Sequence, residues 1–151
     1  TQTFSKSRSM AGARLGFGIA CKELIRDLNT IRYSTNPYNI NRMTMAAGMA
    51  TLQTDELTAE HCRSIVRTRE ETTKQLNDLG FETTPSKTNF IFATHPRLEG
   101  ETLYLKLKER GILVRHFSKA RIKQYNRITV GTPQQMQALI AAIKEIMEEL
   151  L

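Results

Sequence analysis

The sequence predicts an α/β protein in two parts, a helical front half and a small α+β back half, joined by one long helix. Two observations carry this. Up to Gly80 apolar residues recur at helical spacing, and beyond it short β-branched runs alternate with helices. The boundaries between these stretches also fall on recognisable helix caps and turn residues.

Taken in order, an opening segment rich in Ser, Gly and Arg ends in Leu15-Gly16-Phe17-Gly18-Ile19-Ala20, an apolar run that reads as a buried strand. Leu24, Ile25, Leu28 and Ile31 then share one helical face, and Ser34-Thr35-Asn36-Pro37-Tyr38-Asn39 breaks that helix as a turn. Asn39 is a good N-cap for a second helix through Met43, Ala46, Ala47 and Ala50. The long helix covers about 54–79, with Ile65, Arg69, Thr72, Leu76 and Leu79 at helical spacing and Gly80 placed to end it in the left-handed conformation. Asn89-Phe90-Ile91-Phe92-Ala93 reads as a strand and Leu103–Arg110 as a short helix closed by Gly111. Ile112-Leu113-Val114-Arg115 and Arg127-Ile128-Thr129-Val130 read as strands. The last helix has Thr132 as cap, Pro133 in its first turn and Gln135 completing a capping box, with Met136, Leu139, Ile140, Ile143, Met147 and Leu150 as its apolar stripe. The divide between the parts falls inside the long helix, giving residues 1–60 and 61–151. A lone buried strand at 15–20 would leave its N–H and C=O groups unpaired, so the front half is expected to lack partner strands or to rearrange.

Composition narrows the function classes. The hydrophobic fraction of 40% and charged fraction of 25% are those of an ordinary globular domain. No run reaches the roughly 18 apolar residues of a membrane span, and the first residues do not have the pattern of a secretion signal, so a cytoplasmic protein is expected. The net charge of +7 is spread along the chain and mixed with Glu145, Glu148 and Glu149, which argues against a nucleic-acid partner and leaves small phosphorylated ligands open. Cys21 and Cys62, like His61, His95 and His116, are too scattered for metal-ligand spacing. No metal site is expected.

The chemistry lies in Thr3-Phe4-Ser5-Lys6-Ser7-Arg8-Ser9-Met10-Ala11-Gly12-Ala13-Arg14-Leu15-Gly16-Phe17. A neutral lysine amine can form an imine with an aldehyde. Ser5 and the forked donors of Arg14 suit a phosphate, and Gly12 and Gly16 let backbone approach closely. The spacing is not that of a P-loop. On residue types alone, a surface loop with a solvated lysine and arginine fits equally well.

The run from Thr3 to Gly18 resembles the cofactor-lysine signature of the fold-type I aminotransferases, Ser-Lys-x-x-x-Met/Leu-Ala-Gly-x-Arg-x-Gly-Phe/Tyr. The resemblance implies pyridoxal 5'-phosphate (PLP) as cofactor. Lys6 would be joined to it and would shuttle the proton of the substrate α-carbon, while Ser5 and Arg14 hold the cofactor phosphate. Gly111-Ile112-Leu113-Val114-Arg115-His116-Phe117 and Tyr125-Asn126-Arg127-Ile128-Thr129-Val130-Gly131-Thr132 are similar to the paired-arginine segments of the histidinol-phosphate aminotransferases. By that resemblance Arg127 clamps the carboxylate of an amino-acid or 2-oxo-acid substrate and Arg115 faces the substrate phosphate. Residues 1–60 would be the C-terminal remnant of the large PLP-binding domain and 61–151 the small domain of a homodimer. Tyr38, Asn39, Met10 and His116 have ordinary structural readings.

The family's N-terminal half supplies an aspartate for the pyridine nitrogen and a ring-stacking aromatic, and Asp27, Asp55 and Asp78 do not match that aspartate's motif. The chain is therefore expected to be a fragment that alone binds PLP poorly and does not transaminate. Other readings are an aromatic-amino-acid aminotransferase, a threonine-phosphate decarboxylase, and an aminotransferase-like ligand-sensing module of a transcription regulator.

Overall fold

Gln2–Thr3 (β1) and Gly16–Phe17 (β2) are extended and pair antiparallel, Gln2 opposite Phe17 and Thr3 opposite Gly16. The computed structural model describes residues 1–151 and divides them into two compact units, Thr1–Cys62 and Arg63–Leu151. The strand expected over Leu15–Ala20 is thus only two residues long, exposed, and partnered within the chain. The residues preceding the Lys6 segment supply the partner, because the chain returns on itself through Ser9 and Arg14, both at φ 55°.

In the first unit, Lys22–Thr35 forms α1 and Arg42–Gln53 forms α2. The cap of α2 is Asn41, whose side chain accepts from the Thr44 N–H at 2.8 Å, and not Asn39 as the sequence suggested. Asn41 wins because its own backbone is extended and its Oδ1 reaches the third N–H of the helix, the geometry an N-cap requires. The apolar face predicted for α1 exists as spacing but is not covered in this chain: Leu24, Leu28 and Ile31 are all more than half exposed. Asp55–Asp78 forms α3, whose first turn carries Asp55 and Glu56 at the positive end of the helix dipole.

The second unit has a core of its own. Glu82–Thr83 (β3), Phe90–Thr94 (β4), Arg115–His116 (β5) and Asn126–Thr129 (β6) make an antiparallel sheet in the order β3-β4-β6-β5. Gly100–Glu109 (α4), Pro133–Leu150 (α5) and the C-terminal turns of α3 supply the helical layer. Strand alternation sorts the faces: Ile91, Ala93 and Ile128 are buried in one core with Leu76, Leu103, Leu107, Leu139, Ile143 and Ile146, while Phe90, Phe92 and Arg127 point to the other face. A fully buried Leu or Ile contributes about 1.5–3 kcal/mol relative to an exposed one, so this cluster is what holds the unit.

Both helix ends predicted at glycines form as expected. Phe81 N–H bonds the Leu76 carbonyl and Gly80 N–H the Asn77 carbonyl; Ile112 and Gly111 repeat the pattern on Leu107 and Lys108. Gly80 and Gly111 sit at φ 87° and 76°, where other residues are strained. Drawing Ile112 into this turn shortens the strand expected over Ile112–Arg115 to Arg115–His116. The helix expected from Leu103 starts earlier, at Gly100, and Asn126 Nδ2 donates to the Gly100 carbonyl at 2.8 Å. On α5 the capping box closes as predicted, Gln135 N–H on Thr132 Oγ1 at 3.3 Å and Thr132 N–H on Gln135 Oε1 at 2.9 Å.

Candidate functional site

Two sets of candidate residues lie in the two units. In the first unit, Phe4 N–H donates to the Leu15 carbonyl at 3.0 Å, continuing the β1–β2 pairing and closing a loop over residues 4–15. Ser5 and Arg14 are the next two residues past that closing bond, so the chain brings together positions that lie far apart in sequence. Lys6 follows Ser5 on the exposed side of the loop, and its carbonyl accepts from Ser9 N–H at 3.1 Å. Phe4 is 4% exposed and anchors the loop from beneath, with its ring edge-on to Phe17 at 6.1 Å.

Arg14 takes the left-handed conformation at the end of the short 3-10 turn Ala11–Ala13, at a cost of roughly 1–2 kcal/mol for a residue with a Cβ. Its Nη1 donates to the Ala11 carbonyl at 3.0 Å. That single bond orients the guanidinium, and the exposed remainder of a five-donor fork suits an anion. Thr3 Oγ1 lies 2.8 Å from Ser5 Oγ and accepts the Ser5 N–H at 3.1 Å, which holds the Ser5 hydroxyl in place.

In the second unit the sheet register sets Arg115 directly opposite Arg127. Directly opposed residues share a face. The two arginines therefore stand side by side on the face that also carries Phe90 and Phe92. The Arg127 guanidinium lies over the Phe90 ring at 4.3 Å, and its Nε is buried without a partner. Arg115 lies over Phe117 at 5.5 Å, and Phe92 stacks on Tyr125 at 4.5 Å and 11°. A cleft of about 290 Å³ opens beside Arg127, lined by Ser86, Lys87, Thr88, Phe90 and Phe92.

Sequence reasoning missed three contributors. Arg8, in the first unit, donates from Nη1 to the Thr51 carbonyl at 2.5 Å and from Nη2 to Asp55 Oδ1 at 2.7 Å. In the sequence Phe90 and Tyr125 stand only as strand or motif residues. The pairing of Phe92 with Arg127 across β4 and β6 is the signal that could have found the aromatic bed, but register is not written in either strand alone. His116 faces the opposite side of the sheet from Arg115, stacked on Tyr104 at 5.8 Å with Nδ1 buried and unpartnered, so it does not join the arginine pair. Tyr38 is 91% exposed. No group of three or more His, Cys, Asp or Glu side chains is placed to hold a metal ion, and no helix is long and apolar enough to cross a membrane.

The first unit carries a lysine and an oriented arginine on one loop, and the second, a mixed helix-and-sheet unit, carries a pair of arginines on one sheet face. The sequence profile of the aminotransferase class I and II family matches residues 1–143, and the chain belongs to that family. More particularly, it is similar to the histidinol-phosphate aminotransferase of Brachyspira hyodysenteriae, at 45% identity over 97% of this chain and 42% of that protein. It thus spans less than half the length of that relative. Among solved structures it resembles the histidinol-phosphate aminotransferase of Sinorhizobium meliloti in complex with pyridoxal-5'-phosphate, with a TM-score of 0.83 and 25% identity over 99% of this chain and 40% of that one. It also resembles the L-threonine-O-3-phosphate decarboxylase of Porphyromonas gingivalis, with a TM-score of 0.81 and 26% identity over 96% of this chain and 45% of that one. The fold is that of the fold-type I aminotransferases, as the sequence predicted.

Proposed function

We propose that the polypeptide carrying this chain is a PLP-dependent aminotransferase acting on histidinol phosphate and 2-oxoglutarate, as a homodimer. The observation that carries this reading is the closed loop over residues 4–15, in which Ser5 and Arg14 flank the closing bond and Lys6 is the adjacent residue. This donor set fits the cofactor: a hydroxyl held by Thr3, a guanidinium oriented by Ala11, and a primary amine. When bound, PLP supplies an electron sink for the α-carbon of an amino acid.

The chain's own residues supply the rest. Ser5 Oγ and the Arg14 guanidinium bind the cofactor phosphate, and Arg14 gains most because its fork can give two parallel bonds. Lys6 Nζ takes the proton from the substrate α-carbon and returns it, a step open only to the uncharged amine. Arg127 holds the carboxylate of the co-substrate 2-oxoglutarate, since histidinol phosphate has none. Its guanidinium already lies over the Phe90 ring, so little side-chain freedom remains to be lost when a planar anion binds. Arg115, its neighbour across the register, meets the substrate phosphate. On this reading residues 1–60 belong to a cofactor-binding domain and 61–151 to a substrate-binding domain.

Likeness to a decarboxylase of a phosphorylated amino acid favours one alternative, threonine phosphate as substrate. An assay of the PLP-loaded polypeptide with histidinol phosphate, phenylalanine and threonine phosphate separates them. The expected result is highest kcat/KM for histidinol phosphate, with a loss of about 10- to 100-fold for an amino donor lacking the phosphate, the scale of one or two charge-assisted bonds. A preference for phenylalanine would remove the role of Arg115.

A further inference from the structure

We propose that Arg8 is a positioning residue for Lys6: it fixes the lysine-bearing loop to the junction of α2 and α3, so that the amine is presented in one direction. The inference rests on the role of Lys6 proposed above.

The loop has bonds of its own, from Phe4 to Leu15, Ser9 to Lys6, Met10 to Phe4 and Ala13 to Met10. These fix its internal shape but not its place. The β1–β2 pairing beneath it is two residues long and exposed, and the 3-10 turn buries nothing and has no side-chain cap. Arg8 reaches outside the loop. With its side chain 11% exposed, it sends one arm to the Thr51 carbonyl, in the last turn of α2, and the other to Asp55, in the first turn of α3. Nη1 also lies 3.4 Å from Thr58 Oγ1.

The site suits a guanidinium on two counts. The carbonyls of a helix C-terminus carry partial negative charge, and here the Asp55 carboxylate adds to it. The two acceptors also lie on different helices, so a fork can hold both, whereas a lysine offers one point charge. On its other side the Arg8 guanidinium lies 5.4 Å from the centre of the Phe4 ring, and Phe4 provides both the N–H and the carbonyl that shape the loop. A second contact supports the same docking. A Cβ at Gly48 would come within 2.4 Å of Leu15 Cδ2, so α2 lies directly against the loop's closing residue. Lys6 is two residues from Arg8, on the same loop and outside any α-helix. A misplacement of about 1 Å can cost ~100-fold in rate, so the direction of that amine is worth fixing.

The test uses the PLP-loaded polypeptide and its Arg8→Ala, Arg8→Lys, Asp55→Asn and Lys6→Ala variants. The readouts are the pH titration of the cofactor's visible absorbance, the melting temperature and, in cofactor-free protein, acetylation of Lys6 by acetic anhydride relative to Lys22. Arg8→Ala is expected to move the titration midpoint by more than about half a pH unit, as loss of a defined environment does. It should also change the Lys6:Lys22 acetylation ratio several-fold. Asp55→Asn, which alters only an exposed carboxylate, should move both in the same sense by less, and Arg8→Lys should fall between Arg8→Ala and the parent. A lowered melting temperature with midpoint and acetylation ratio unmoved would show a merely structural residue and overturn the inference alone. Retention of the absorbance in Lys6→Ala would overturn the lysine reading and this inference with it. If Arg8→Ala does not fold, an unmoved midpoint in Asp55→Asn and Arg8→Lys decides against it.

Discussion

Arg127 and His95 show how single side chains are prepared by what surrounds them. Arg127 loses water from one side of its guanidinium to Phe90 and keeps a buried, unbonded Nε, so an anion on its open side meets a partly desolvated fork. Arg127→Lys keeps the charge and loses both the stack and the fork. The expected outcome in the loaded polypeptide is a fall of about 10- to 100-fold in kcat/KM, carried mainly by KM for 2-oxoglutarate.

His95 is buried against Phe81, with its Nδ1 accepting the Arg97 N–H at 3.2 Å. Burial and the nearby charge of Arg97 lower its pKa below the usual 6.5, against an opposing bond with the Leu79 carbonyl. A folded pKa below the unfolded one means that the unfolded state binds the proton more readily. Stability from this group is therefore complete above about pH 6.5 and declines as pH falls from there through the folded value. Melting between pH 8 and pH 5 should show that decline, and His95→Phe should flatten it.

At this scale the sequence offers Lys6 and Arg14 as candidates, because a contiguous motif names them. It does not offer Arg8, since its partners Thr51 and Asp55 are separated from it by two helices' worth of chain.

Helices and strands were legible where local chemistry decides them. Gly80, Gly111 and the Thr132–Gln135 box each satisfy backbone groups within a few residues, and all three appear as read. Thr132→Ala should cost about 1 kcal/mol of unfolding free energy by urea titration, the usual value of a cap. Ile143→Ala, at a fully buried position of the same helix, should cost about 2–5 kcal/mol. The failures are non-local. The strand at 16–17 depends on a partner at 2–3, and the choice of Asn41 over Asn39 depends on which residue the preceding Pro37 turn leaves extended. Apolar spacing on α1 correctly gave a helix yet said nothing about whether its face would be covered.

For the molecule as a whole, the two units differ in how much they bury. Residues 63–151 hold a continuous core from Leu76 to Ile146, whereas the buried residues of the first unit are Phe4 and Gly48. Stability should follow that difference. In the isolated chain, amide hydrogen exchange should be slowest in β4, β6 and α5 and fast throughout α1 and the 4–15 loop. Uniform protection across residues 22–35 would contradict it. By the same reasoning the isolated chain should bind PLP weakly and show no transamination, because the loop carrying Lys6 and Arg14 belongs to the less buried unit.

The most direct measurement is borohydride reduction of the PLP-loaded polypeptide, followed by proteolysis and mass spectrometry of the pyridoxyl-bearing peptide. The expected result is a single label on Lys6, lost in Lys6→Ala. A label on any other lysine, or one that persists in that variant, would contradict the role given to Lys6 and to the loop that carries it.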